Sequence, residues 1–117
     1  MSSAGTIAGT LVQYDIPRWE PLYDLVGVDL ADWFMWMCEI RLADGSRLHA
    51  YKHQTTRRYL HLTTDGRAFD YRAERYGEVD LASSIARAFT GWEVAGPSPR
   101  HVRALRAAVE SARVRAE

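Results

Sequence analysis

The chain has 117 residues, 47% of them hydrophobic and four of them tryptophan, which suits one folded domain with a modest core. Its formal net charge is zero, which argues against a dedicated nucleic-acid binder, and its single cysteine excludes an intrachain disulfide and a multi-cysteine zinc site. No apolar run approaches the roughly 20 residues needed to cross a bilayer.

The charges are segregated. Residues 1–39 carry a net −5, residues 40–72 a net +4, residues 73–97 a net −2 and residues 98–117 a net +3. Such blocks favour docking between parts of a fold or self-association through complementary patches. Met1–Val12 has neither a basic start nor a sustained apolar run, so no secretory signal is expected and the protein is placed in the cytoplasm.

In chain order, residues 1–10 are small and polar and read as a flexible tail, leaving 11–117 as a single α+β domain. Leu11–Ile16 suits a short edge strand or an extended segment. Pro21 opens a helix whose Leu22, Leu25 and Val26 form an apolar stripe that Gly27 ends, and Asp29 caps a further turn leading to Trp33. Phe34–Leu42 alternates: Phe34, Trp36, Cys38, Ile40 and Leu42 on one side, Met35, Met37, Glu39 and Arg41 on the other. Further strands are expected at Arg47–His53, Arg58–Thr64 and Arg67–Arg72, the first and last pairs joined by turns at Asp44-Gly45 and Asp65-Gly66. Asp80 caps a helix running to Phe89 and stopped by Gly91. Ser98-Pro99 opens an amphipathic C-terminal helix with Val102, Leu105, Val109 and Ala112 on one stripe. The expected architecture is a four-stranded antiparallel β-meander with helices packed on one face.

Register decides which side chains meet, because a one-residue slip swaps the faces of a strand. A three-residue loop Ala43-Asp44-Gly45 pairs Ile40 with Leu48 and Cys38 with Ala50. A two-residue Asp65-Gly66 turn pairs Leu62 with Phe69, and matching apolar sides pairs Ala50 with Leu60. These choices align Glu39, His49, His61 and Asp70 in one transverse row, with Met37, Tyr51, Tyr59 and Arg72 in the next. Two imidazoles between two carboxylates have the chemistry of a divalent-metal site or of an oriented general base, so Glu39, His49, His61 and Asp70 are the catalytic candidates and His49 and His61 the metal candidates. A polar sheet face also carries such residues for hydrogen bonding alone, and no ligand-spacing motif such as HExxH accompanies them. No metal or other cofactor is therefore expected.

The segment from Lys52 to Arg58 is basic and rich in hydroxyls. Lys52, His53, Arg57 and Arg58, with Tyr51, Tyr59 and Arg72, are the candidates for binding an anionic ligand. The tyrosines have the ingredients of a base-stacking platform, but no RNP-type motif is present and nucleic acid is not expected as a partner. Trp33, Met35 and Met37 are apolar on the otherwise polar side, which marks them as interface candidates and points to a homodimer or a protein partner.

The run FMWMCEIRLADGSRLHAYKHQTTRRYLHLTTDGRAF, residues 34–69, resembles a segment of a family of small uncharacterised actinobacterial proteins. The resemblance implies no activity, cofactor or site residue. The sequence thus reads as a small non-enzymatic binding or interaction domain that self-associates and takes an anionic ligand or protein partner through the His/Tyr/Arg-rich sheet face. A hydrolytic or metal-dependent enzyme using the Glu39-His49-His61-Asp70 row is the alternative.

Overall fold

The computed structural model describes the backbone of residues 9–12 and the chain from 17 to 115. One antiparallel sheet, in the order β1-β2-β3-β4-β5-β6, is built from β1 (Gly9–Val12), β2 (Phe34–Leu42), β3 (Arg47–His53), β4 (Tyr59–Leu62), β5 (Ala68–Arg72) and β6 (Arg75–Val79). The expected four-stranded meander is present as β2–β5, with one strand added at each edge. β1 begins inside the segment read as a tail, and the rest of that segment, with residues 13–16 of the expected Leu11–Ile16 strand, lies outside the described residues.

The helices are α1 (Glu20–Ala31), α2 (Leu81–Ala88) and α3 (Pro99–Arg115), with a 3-10 turn at Trp92–Ala95. Pro21 sits in the first turn of α1, where its missing N–H costs nothing. Gly27, at φ 84°, interrupts that helix, and a second short turn carries Leu30 and Ala31 into the core. Asp80 caps α2 by accepting a 2.9 Å hydrogen bond from the Ser83 N–H. The three helices cover one face of the sheet, where Leu22, Leu30 and Ile85 meet Phe34, Tyr51, Leu60, Leu62 and Ala68. Each fully buried Leu or Ile contributes about 1.5–3 kcal/mol by leaving water.

Two register findings set the rest of the molecule. The first hairpin pairs Ile40 with Leu48 and Cys38 with Ala50, as its three-residue loop requires, but a bulge at Met37 then shifts the ladder so that Trp36 faces Tyr51 and Phe34 faces His53. Phe34 and Trp36 therefore do not share a side with Cys38, Ile40 and Leu42: they enter the helix-covered core. The second hairpin is also a three-residue loop. In the first, Leu42 N donates to Ser46 O and Gly45 N to Leu42 O; in the second, Thr63 N donates to Arg67 O and Gly66 N to Thr63 O. This pairs His61 with Phe69 and Leu62 with Ala68. Between the hairpins, Ala50 faces His61 and His49 faces Leu62, one residue away from the expected pairing.

The face away from the helices has its own core of Ile40, Leu42, Leu48, Ala50 and Phe69, against which Cys38 and Tyr76 pack. Cys38 on β2 and Tyr76 on β6 are four strands apart, about 19 Å in a flat sheet. Here they line one pocket, so the sheet curls strongly and this face is concave. Among the described residues, no helix is long and apolar enough to cross a membrane.

Candidate functional site

The concave face holds a pocket of about 570 Å³. Its floor is Cys38, Ile40 and Ala50, its wall Tyr59, His61, Tyr71 and Tyr76, and its mouth Arg57, Arg58, Arg87 and Asp70. The wall is a continuous aromatic run. Tyr59 stacks on His61 at 5.5 Å between centroids, His61 meets Tyr76 edge-on at 5.5 Å, and Tyr76 lies 4.7 Å from Tyr71. Tyr59 and Tyr71 remain 42% and 52% exposed, so their rings offer area that an occupant would cover.

The mouth carries more positive than negative charge. Asp70 accepts from Arg72 and from Arg87, each at 3.0 Å. Burial acts to raise its pKa, but the two guanidinium groups outweigh it and hold the carboxyl below its ordinary value. Burial pushes the pKa of His61 down to about 4 despite the opposing pull of Asp70 and of the Phe69 carbonyl, so its ring is neutral at physiological pH. Burial also raises the pKa of the Cys38 thiol in the floor and of the Tyr76 hydroxyl in the wall, which favours the uncharged form of both.

The basic turn between β3 and β4 is built around His53, which is completely buried. Its Nδ1 accepts from the N–H groups of Thr55 and Thr56, and its carbonyl accepts from Arg57 N. Burial pushes the pKa of His53 down to about 4, consistent with a ring nitrogen that must stay unprotonated to hold the turn. Thr56 Oγ1 donates to Ala88 O at 2.6 Å and Arg58 Nε to Thr90 O at 3.3 Å, so the turn also closes the C-terminal end of α2, whose last carbonyls need donors. Arg57 is held at φ 64°, a left-handed conformation unusual for a residue with a Cβ. Its guanidinium makes no hydrogen bond or ion pair among the described residues.

The expected four-residue row is not formed. Glu39 does face His49, but both lie on the helix-covered side, 1% and 2% exposed. His61 faces the concave side, and Asp70, although it reaches the pocket mouth, is tied to Arg87 of α2. The one-residue difference between β3 and β4, added to the one in the second hairpin, separates the set. The His49 Nδ1–Glu39 Oε1 distance is 3.9 Å, and Arg47 Nε stands 3.5 Å from Glu39 Oε2. Burial lowers the pKa of His49, with Glu39 opposing. No group of three His, Cys, Asp or Glu side chains that could hold a metal gathers among the described residues, and His49 and His61 cannot share one.

The anion-binding candidates also divide. Arg57, Arg58 and Tyr59 line the pocket, and Lys52 lies over the Tyr59 ring at 5.5 Å. Tyr51 and His53 do not join them: Tyr51 is fully buried under the helices with its hydroxyl donating to the Arg18 carbonyl, and His53 is enclosed by Phe34, Trp33, Phe89 and Trp92. Arg72 is spent on Asp70. Of the interface candidates, Trp33 belongs to the interior, edge-on to Trp92 at 5.4 Å and stacked on His53, whereas Met35 is half-buried and Met37 stands exposed at the bulge. Sequence reasoning missed Cys38, Tyr71, Tyr76 and Arg87 as pocket residues. Tyr76 lies on a strand with no turn signal before it, and Arg87 reaches the mouth from a helix. Compared with known protein families, curated proteins and solved structures, the chain matches none.

Proposed function

We propose that this is a small binding domain, not an enzyme, whose concave sheet face takes a small anionic molecule. One observation carries the reading: Arg57, with no partner among the described residues, stands at the mouth of a 570 Å³ pocket whose lining has more cationic than anionic groups. A pocket of this size, with a small apolar floor and a few polar groups at one end, suits a compact organic ligand. The four-residue row on which the enzymatic alternative rested is not assembled, because Glu39 and His49 are buried on the helix-covered side and His61 faces the other way.

Cys38 is the chain's one cysteine and lies in the pocket floor, which makes it a built-in reporter. Small carboxylates are titrated while the rate of Cys38 alkylation by iodoacetamide is followed. Slowed alkylation that saturates with added anion supports the proposal; an unchanged rate with every anion tried rejects it. Self-association, with Met37 at the contact, belongs to the same proposal, and light scattering that shows only monomer at tens of micromolar rejects that part.

A further inference from the structure

We infer that the occupant of the concave pocket is a planar aromatic monocarboxylate, gripped by Arg57 and laid against the tyrosine wall. This deepens the anion-binding reading and rests on it.

The first argument is what the mouth lacks. Phosphate-type anions are met by converging backbone N–H groups, at a helix start or a glycine-rich loop. The β3–β4 turn has none to spare. Thr55 N and Thr56 N are bound to His53 Nδ1, Arg57 N to His53 O, and Arg58 N to Thr56 Oγ1. No glycine lines the pocket. Side chains must therefore do the binding, and most of their charge is committed. Arg87 is held by Asp70, and Arg58 has turned its Nε to the Thr90 carbonyl. Among the described residues of the pocket, Arg57 alone presents its whole guanidinium fork, which matches one carboxylate in a two-bond arrangement. Asp70 at the same mouth is already paired with Arg72 and Arg87, so the one uncommitted guanidinium among the described pocket residues, that of Arg57, fits an occupant with a single negative charge.

The second argument is the wall. Tyr59 and His61 are nearly parallel, 9° apart, and Tyr76 turns its ring at 71° to His61. A flat ring is the shape that gains both face and edge contact with such a surface, and the half-exposed Tyr59 and Tyr71 rings are the area it would cover. The floor beneath is thiol, branched alkyl and methyl, with no charge to repel a hydrocarbon ring.

The test uses the full chain with five probes: indole-3-carboxylate, benzoate, cyclohexanecarboxylate, benzamide and inorganic phosphate. Calorimetry gives affinity, and protection of Cys38 from alkylation gives location. The two aromatic acids should protect Cys38. Cyclohexanecarboxylate, equal in charge but not flat, should bind about fivefold more weakly than benzoate, and benzamide and phosphate more weakly still. Arg57→Gly removes the guanidinium without strain at that φ, and should weaken benzoate about tenfold while the protein stays folded. Equal affinity for cyclohexanecarboxylate, tighter binding of phosphate, or unchanged benzoate affinity in Arg57→Gly would overturn the aromatic-acid assignment and leave anion binding standing. Failure of all the charged probes to protect Cys38 would remove both.

Discussion

His49 and His61 lie on neighbouring strands, yet their side chains face opposite sides of the sheet, because His49 pairs with Leu62 and His61 with Ala50. One ring is buried on the helix-covered side of the sheet beside Glu39, and the other lines a tyrosine-walled pocket. Two histidines that look alike in the sequence thus have unrelated surroundings. The pocket, rather than a row of catalytic groups, is where polar and aromatic side chains line an open cavity.

Acid should begin to destabilise the fold at about pH 6.5, before the carboxylates titrate. His53 and His61 are neutral in the native state, with pKa values pushed down to about 4 by burial, against 6.5 for the ordinary group. Between those values the unfolded chain takes up protons that the native chain refuses, so stability falls as pH falls. The contribution is complete above pH 6.5 and is lost as pH drops through about 4, roughly 3 kcal/mol for each ring. Urea unfolding at about pH 7 and about pH 4.5 measures it, and His61→Phe should reduce the pH-dependent loss. A flat stability profile over that interval would contradict the assignment.

The hairpin between β5 and β6 should be easy to improve. Ala73 and Glu74 occupy its tip at φ 50° and 64°, and Arg72 pairs with Arg75 beside them. Two positive φ angles in succession define the mirror-image turn that asparagine and glycine adopt with least strain. Ala73→Asn combined with Glu74→Gly should therefore raise stability by about 1–2 kcal/mol, read from the denaturation midpoint. No shift in the midpoint would mean that this turn carries no strain.

Arg47 should matter more than its exposure suggests. It is half-exposed itself but stands 3.5 Å from the carboxylate of Glu39, whose side chain is 2% exposed. Removing it leaves the buried Glu39 carboxyl, among the described residues, with His49 Nδ1 at 3.9 Å as its remaining ionisable neighbour. Arg47→Met should cost about 1–3 kcal/mol, whereas Arg113→Met, which breaks an exposed pair with Glu110 on α3, should cost close to nothing. Equal costs for the two would show that Glu39 is not held by Arg47.

Much of the fold was legible in the sequence for reasons that can be named. Pro21, Asp80 and Ser98-Pro99 announce helix starts, and Gly45 fixes the first hairpin because only its left-handed position closes a three-residue loop with the apolar sides matched. The same Asp-Gly pair at 65–66 suggests a two-residue turn, whereas the loop it forms has three residues. The dipeptide signals a left-handed glycine but does not say where in the loop it falls. Here Thr63 helps settle it, its Oγ1 hydrogen-bonding to Asp65 and accepting from Arg67 N. β6 was invisible because Ala73-Glu74 carries none of the usual turn residues. The candidate site was legible only in part: Arg57, Arg58, Tyr59 and His61 sit in a segment whose composition draws attention. Tyr76 and Arg87 reach the pocket through sheet curvature and helix packing, which no local pattern encodes.

The extra residue at Met37 makes β2 a strand with two allegiances, its first half given to the helical interior and its second to the concave hollow. Deleting that single residue would leave Trp36 opposite Tyr51 and Cys38 opposite Ala50 as consecutive pairs, so an unbulged ladder would keep Phe34 and Trp36 beneath the helices and Cys38 and Ile40 in the pocket floor. What a shortened chain would lose is the local bend and added twist of the bulge, and with it part of the curl that makes the hollow.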